Sequence, residues 1–204
     1  MLLLVTHGHP TVANGHPNLG RLVQPRHYSS IHRTAAAGIP WAADNDAYGG
    51  WDDDRETAWE TMLDALAYLP GCLFVTARDV VGDAEQTAFY WEEYASRIMR
   101  RNLPAALVAQ DGLTARDVPW GSLDAIFIGG TDRFKLGPDA ERIVAEAHRR
   151  GKWTHMGRVN GARRFRYALT IGIDSVDGTS FARWPATWLS TGLAWTQAGQ
   201  QLRL

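Results

Sequence analysis

Residues 72–79 read Cys-Leu-Phe-Val-Thr-Ala-Arg-Asp, a short apolar run that ends in a charged pair. Such a run, bounded by polar residues, is typical of a strand buried in a parallel sheet. Stretches with the period of an amphipathic helix flank it, near 54–68 and 84–101. The stretch therefore predicts one strand of an α/β fold.

The same unit recurs along the chain. Six further apolar runs predict strands at Leu2–Thr6, Pro40–Ala43, Ala105–Ala109, Ala125–Ile128, Trp153–Met156 and Ser175–Val176. Further helical patterns lie near 138–149, 161–171 and 185–192, whereas Asn14 to Tyr28 is predicted to be a long loop. Strands that alternate with helices indicate a parallel sheet, either doubly wound or closed into a barrel.

The residues that follow the strands favour the barrel. Polar or glycine clusters occur at His7-Gly8-His9, Asp44-Asn45-Asp46, Arg78-Asp79, Gln110-Asp111, Gly129-Gly130-Thr131, Gly157-Arg158 and Asp177-Gly178-Thr179. Barrel active sites are assembled from such strand ends, and no Gly-x-Gly-x-x-Gly follows the first strand to indicate a dinucleotide site. We predict a compact (β/α)8 TIM-barrel-like fold with a reduced or missing eighth strand, because 204 residues is short for a barrel.

Composition restricts the class of protein. The length fits one domain, 1–204, and no apolar run approaches the ~20 residues that cross a membrane. Cys72 is the single cysteine, which excludes an internal disulfide and predicts a reducing, cytoplasmic setting. The net charge of −1 gives no overall field that would attract nucleic acid.

Three aspartates at strand ends, Asp44, Asp79 and Asp177, are the candidates for chemistry. Like charges at one barrel mouth require a ligand or shifted pKa values. A pair of carboxylates suits glycosidic chemistry, in which one attacks the anomeric carbon and the other handles the proton. Gln110 and the bare backbone of Gly129-Gly130 would complement a guanine-like base, which displays a carbonyl beside N–H donors.

Five segments together resemble the guanine transglycosylases. They are 74–83, 107–112, 126–130, 155–160 and 172–180, in the family's order within about residues 40–185. The resemblance is closest to the phage and bacterial DNA-modifying branch of the tRNA-guanine transglycosylase superfamily. It implies an enzyme that inserts a 7-deazaguanine base, such as preQ0, into DNA.

The resemblance also implies residue roles. Asp177 stands at the position of the nucleophile that attacks C1′, and Asp44 at that of the aspartate used in proton transfer. The base-binding positions correspond to Asp79, Gln110, Gly129, Gly130 and Met156. Asp46 replaces a family glycine, so the loop after Asp44 is expected to differ in shape.

The tRNA enzymes carry a three-cysteine zinc site with a distant histidine, which one cysteine cannot build. DNA is therefore the expected partner, with a free deazaguanine as the small substrate and no metal or cofactor. Arg158, Arg163, Arg164 and Arg166 follow the sixth predicted strand and are candidates for holding phosphates. Tyr48 and Trp51 are candidates for stacking on a base.

Three other functions stay open. His7-Gly8-His9, with His155, resembles the metal ligands of amidohydrolase barrels, although Gln110 and Gly130 replace other expected ligands. A base-binding module without activity has the same residues. A deoxyribosyltransferase acting on free nucleosides would use the same chemistry.

Overall fold

The computed structural model describes residues 1–6, 16–183 and 189–196. Eight parallel strands close into a barrel, in which each strand pairs with the next along the chain and the last pairs with the first. They are β1 Leu2–Thr6, β2 Leu19–Val23, β3 Trp41–Ala43, β4 Cys72–Thr76, β5 Ala105–Ala109, β6 Ala125–Ile128, β7 Trp153–Met156 and β8 Ser175–Asp177. The predicted α/β barrel is confirmed.

The helices lie outside the strands. They are α1 Ile31–Ala36, α2 Asp53–Leu66, α3 Ala84–Met99, α4 Asp132–Lys135, α5 Pro138–Arg149, α6 Ala162–Thr170 and α7 Thr179–Arg183, with a 3-10 turn at Ala47–Gly49. Asp52 and Asp83 begin α2 and α3, because their carboxylates accept from the N–H of Arg55 and Gln86. Residues 189–196 are helical, and the rest of the predicted 185–192 helix lies outside the described residues. No described helix has the length and apolar content needed to span a membrane.

The core has two layers, which follow from the alternation of side chains along each strand. A small cluster contains strand residues and fills the barrel: Leu4, Leu22, Ala42, Phe74, Ala106 and Ala125, with Leu2, Leu73, Phe127 and Trp153 packed against it. A larger cluster joins the outer faces of the strands to the helices, for example Leu3 and Val5 of β1.

The strand that the sequence did not predict is β2, which lies inside the expected loop at Asn14 to Tyr28. Gly20 and Arg21 interrupt its apolar run, yet all five residues are buried. A Cβ at Gly20 would lie 2.6 Å from Leu4 Cδ2 and 2.7 Å from the Pro40 carbonyl oxygen, so packing requires glycine. Arg21 points outward and donates to the hydroxyls of Ser30 and Thr34. The barrel therefore has a complete set of eight strands.

The connection between β5 and β6, residues 110–124, contains turns and no helix. Its buried side chains, Leu113, Val118, Trp120 and Leu123, take the place of a helix against the barrel. An apolar groove of about 500 Å³ separates this connection from α3.

Candidate active site

A cavity of about 90 Å³ opens where β3 to β8 end. Its lining contains most of the site residues predicted from the sequence: Asp44, Asp79, Gln110, Gly129, Gly130, Arg158 and Asp177. Pockets for drug-sized ligands measure about 300–1,000 Å³, so this cavity by itself has room only for a small group. Wider spaces of about 420 and 330 Å³ adjoin it, and Tyr48 lines all three.

Asp177 is the last residue of β8 and is held through one oxygen. Its Oδ1 lies 3.1 Å from Nε2 of His155 and accepts from the backbone N–H of Arg158 at 3.1 Å. Among the described residues, Oδ2 has no hydrogen bond. The carboxylate is therefore fixed in orientation with one oxygen available for reaction.

His155 is the residue that orients Asp177, and it is 0% exposed. Its ring packs against Phe127, 4.5 Å between centroids, inside the barrel. The indole N–H of Trp153 donates to Ser175 Oγ, and that hydroxyl lies 2.9 Å from His155 Nδ1. The neutral tautomer that satisfies both contacts has the ring proton on Nε2, which donates to Asp177, and an unprotonated Nδ1, which accepts from the Ser175 hydroxyl.

Asp44 directly follows β3, and its carboxyl is half-buried. Burial, together with the negative charges of Asp79 and Asp177, raises its pKa to about 7, against the opposing hydrogen bond from Gln24. Gln24 Nε2 donates to Asp44 Oδ2 at 3.1 Å. At neutral pH the protonated and the ionised form of this carboxyl are both populated, so it can act as a general acid or a general base.

The loop after Asp44 turns at Asp46, which has φ +60° and thus lies in the left-handed region. Glycine adopts this conformation readily, and aspartate is among the residues that tolerate it. Arg55 Nη1 donates to the Asp46 carbonyl and holds the turn. An aspartate is therefore accommodated at this position, where the resemblance implies a glycine.

Asp79 lies beyond β4 and is almost fully buried. Its Oδ1 accepts from Asn45 Nδ2 at 2.9 Å, and its Oδ2 accepts from Gln110 Nε2 at 2.6 Å. Burial raises the pKa of Asp79, whereas these two hydrogen bonds and the charge of Arg158 oppose the rise. A carboxylate has about four acceptor positions, so Asp79 retains capacity for a ligand.

Gly129 and Gly130 follow β6, and packing excludes a side chain at both. A Cβ at Gly129 would lie 2.8 Å from Val108 Cγ1, and one at Gly130 would lie 2.6 Å from Asp111 Oδ2. Gly130 also has φ +71°. The backbone is consequently bare at this part of the cavity wall.

The four predicted phosphate-binding arginines have different surroundings. Arg158 Nη2 donates to the Gly130 carbonyl at 2.9 Å, and its guanidinium lies 4.9 Å from the ring centre of Tyr48, which is 72% exposed. Arg164 pairs with Asp132 and donates to the Arg158 carbonyl. Arg163 and Arg166 are exposed on α6. The last two have the freest access to a phosphate.

Met156 does not reach the cavity. Alternation along β7 turns His155 into the barrel and Met156 outward, where it is buried in the layer between strands and helices. The predicted contact of this side chain with a base is therefore wrong. Trp51 packs edge-on against Trp59 and Tyr94 and lines the space of about 330 Å³ beside the cavity.

Two polar residues of the cavity wall, Asn45 and Lys135, were not predicted from the sequence. Asn45 stands beside Asp44 and could have been suspected from that position alone. Lys135 ends α4, where a basic residue is common because it complements the helix dipole. Lys135 is only 2% exposed, and this burial comes from tertiary packing, which the sequence pattern does not report.

His7 and His9, the proposed metal ligands of the amidohydrolase alternative, lie outside the described residues. Within the part of the chain that the structure describes, no three His, Cys, Asp or Glu side chains are grouped to hold a metal ion. His155 contacts Ser175 and Asp177 instead.

The raised pKa of Asp44 predicts that Asp44→Asn stabilises the protein at alkaline pH. The folded state holds this proton up to about pH 7, whereas an unfolded carboxyl loses it near its ordinary value of 3.8. Ionisation therefore costs stability as pH rises between these values. We expect the variant to gain about 1–2 kcal/mol at pH 8, after allowance for partial exposure and the Gln24 contact.

The measurement is the free energy of unfolding in urea at pH 5 and pH 8. The gain should shrink toward pH 5. Asp64→Asn, at an exposed carboxylate paired with Arg101, is the matched control and should show no such trend. An equal effect of Asp44→Asn at both pH values would contradict the assignment.

No family model matches this chain, and a search of curated proteins finds no match either.

Proposed function

We propose that the protein exchanges a guanine base in DNA for a 7-deazaguanine base, with Asp177 as the nucleophile. The observation that supports this most is the convergence of Asp44, Asp79, Gln110 and Asp177 on one cavity. These residues come from four different strands and correspond to the roles that the resemblance implies. Their meeting at the barrel mouth is what a base-exchange site requires.

The two ends of the cavity suit the two parts of a nucleoside. Asp79 offers acceptor positions for the N1 and 2-amino hydrogens of guanine. Gln110 has one amide hydrogen left after its bond to Asp79, and Gly129 and Gly130 form the neighbouring part of the wall. The N–H of Gly129 is donated to the Ala109 carbonyl, so Gln110 and the N–H of Gly130 are the proposed donors to the carbonyl of guanine. Asp177, on the other side, is then close to the sugar.

Exchange proceeds in two displacements. Oδ2 of Asp177 bonds to C1′ while the C1′–N9 bond breaks, and the departing guanine takes the electron pair and the proton of Asp44. The incoming base then gives its N9 proton to the ionised Asp44, and N9 bonds to C1′ as the Asp177 ester bond breaks. Two displacements at one carbon retain its configuration.

DNA as the substrate is supported by the surroundings of the cavity. The space of about 420 Å³ beside it is lined by Arg158, Arg164, Asn160 and Tyr48, and Arg163 and Arg166 are exposed on α6. Cations near an opening hold phosphates, and an extruded base needs such contacts to offset its unstacking.

The test is an exchange assay with purified protein and labelled bases. We expect labelled 7-deazaguanine to enter a DNA oligonucleotide while one guanine is released for each base inserted. Deoxyguanosine should react at least about tenfold more slowly, because it lacks the phosphates that would bind the arginines. Equal rates for polymer and monomer would favour a nucleoside deoxyribosyltransferase, and binding without turnover would favour a base-binding module.

A further inference from the structure

Lys135 is a buried cation in the wall of the cavity. It is 2% exposed, and its Nζ donates to the carbonyl oxygen of Gly157 at 3.0 Å. An ammonium group has three donors. Two N–H donors of Lys135 therefore remain for a molecule in the cavity.

The described residues give Lys135 no ion pair. Asp132, on the same helix, pairs with Arg164, and Oδ1 of Asp177 is occupied by His155 and the N–H of Arg158. A buried charge without a directly paired partner is costly, and such charges are normally paired. Burial first, and the charge of Arg158 second, lower the pKa of Lys135 to about 8, whereas the negative charges of Asp177 and Asp132 oppose this shift. Lys135 is therefore still mainly protonated at neutral pH.

The position of Lys135 around the mouth of the barrel indicates which edge of a bound base it would face. Around the barrel the order is Asp79 after β4, Gln110 after β5, Gly129-Gly130 after β6, Lys135 in α4 and Asp177 on β8. Around guanine the order is the N1 and 2-amino hydrogens, O6, N7 and the N9 that carries the sugar. When the donors face Asp79 and the sugar faces Asp177, the edge left for Lys135 is that of position 7.

We infer that Lys135 determines specificity by donating hydrogen bonds to an acceptor at position 7 of the base. This inference rests on the proposed function. In the guanine that leaves, the acceptor is N7. In the incoming 7-deazaguanine it is a substituent with a hydrogen-bond acceptor, such as a nitrile, carboxamide or carboxylate. A cationic aminomethyl substituent is disfavoured, because it places two positive charges together.

The test compares three incoming bases in the DNA exchange assay: 7-cyano-7-deazaguanine, 7-aminomethyl-7-deazaguanine and unsubstituted 7-deazaguanine. For the native protein we expect the cyano base to have the highest kcat/KM and the aminomethyl base the lowest. Lys135→Met should lower kcat/KM for the cyano base by about 10- to 100-fold, the range for a lost charged hydrogen bond. The unsubstituted base should change by less than about threefold, since it has no acceptor at position 7 for Lys135 to bind.

Lys152→Met, at the chain's other lysine, removes the same charge away from the cavity and should leave all three values unchanged. Lys135→Gln keeps a donor for the Gly157 carbonyl but removes the positive charge and shortens the side chain. It should lower kcat/KM for the cyano base, by no more than the methionine variant does, and spare the unsubstituted base, which separates the role at position 7 from folding. Thermal denaturation checks that each variant is folded. Exchange by the native protein with equal losses for all three bases in both variants would overturn the role of Lys135 and leave the proposed function intact. Failure of the native protein to exchange any base would overturn both.

Discussion

Replacing Asp177 with asparagine is expected to lower the rate of base exchange by about four orders of magnitude or more, the scale seen when a nucleophile is removed. Asparagine cannot form the ester with C1′, but its amide oxygen can accept the same hydrogen bonds from His155 and the N–H of Arg158. The loss should therefore occur without loss of fold. The measurement is the exchange rate, with denaturing electrophoresis to detect the covalent protein–DNA adduct that forms when the incoming base is omitted.

Asp174→Asn is the matched control for this variant. Asp174 precedes β8 at the opposite end of the strand, where its carboxylate accepts from the N–H and hydroxyl of Thr154. It is close in sequence to Asp177 but remote from the cavity, so exchange should persist. Turnover at the native rate in Asp177→Asn, or an adduct that still forms, would remove the nucleophile assignment.

Replacing Asp44 with asparagine should lower exchange by about 10²- to 10⁴-fold, the usual contribution of a general acid or base. The two half-reactions need opposite forms of this carboxyl, whose pKa is about 7. In the native protein, guanine release should slow as pH rises through about 7, because the protonated form disappears. Reaction of the isolated adduct with the incoming base should accelerate as pH rises, over a lower interval, because ester formation removes the Asp177 charge that helps to raise the Asp44 pKa.

The two half-reactions are measured separately by rapid quench between pH 5.5 and 8.5. In Asp44→Asn both rates should be low and independent of pH in this interval. Asp46→Asn serves as the control, because it alters a neighbouring carboxylate that is absent from the cavity lining. The pH dependence should persist in this variant, with a slightly lower midpoint, because the charge of Asp46 contributes to the raised pKa of Asp44. If the pH dependence survived in Asp44→Asn, another group would be the proton carrier.

The strands that carry the site were predictable because each is a continuous apolar run with a polar end. Seven were located in this way, whereas β2 was not, since Gly20 and Arg21 have roles that only packing reveals. Local sequence reports whether a residue is apolar. It does not report that the Arg21 guanidinium donates to the hydroxyls of Ser30, which precedes α1, and of Thr34 within α1.

Part of the site was predictable because the carboxyl ends of the strands converge at one face of a barrel. The placement of the three aspartates and Gln110 followed from that geometry together with the resemblance. Met156 was assigned wrongly because the sequence does not show which of two neighbouring side chains of β7, His155 or Met156, faces the inside of the barrel. Lys135 was missed because the burial of a helix-terminal lysine depends on contacts between α4 and the end of β7.

The absence of a helix between β5 and β6 has a consequence for local unfolding of the barrel. Hydrogen bonds of single turns hold residues 110–124, in place of the continuous hydrogen-bond ladder of a helix. We therefore expect this connection to open locally at a lower free energy than the helical crossovers. Gln110, the first residue of that section, donates to Asp79 inside the cavity. Gln110 thereby links this connection to the cavity, and we expect a base that binds Gln110 to slow amide hydrogen exchange in residues 110–124.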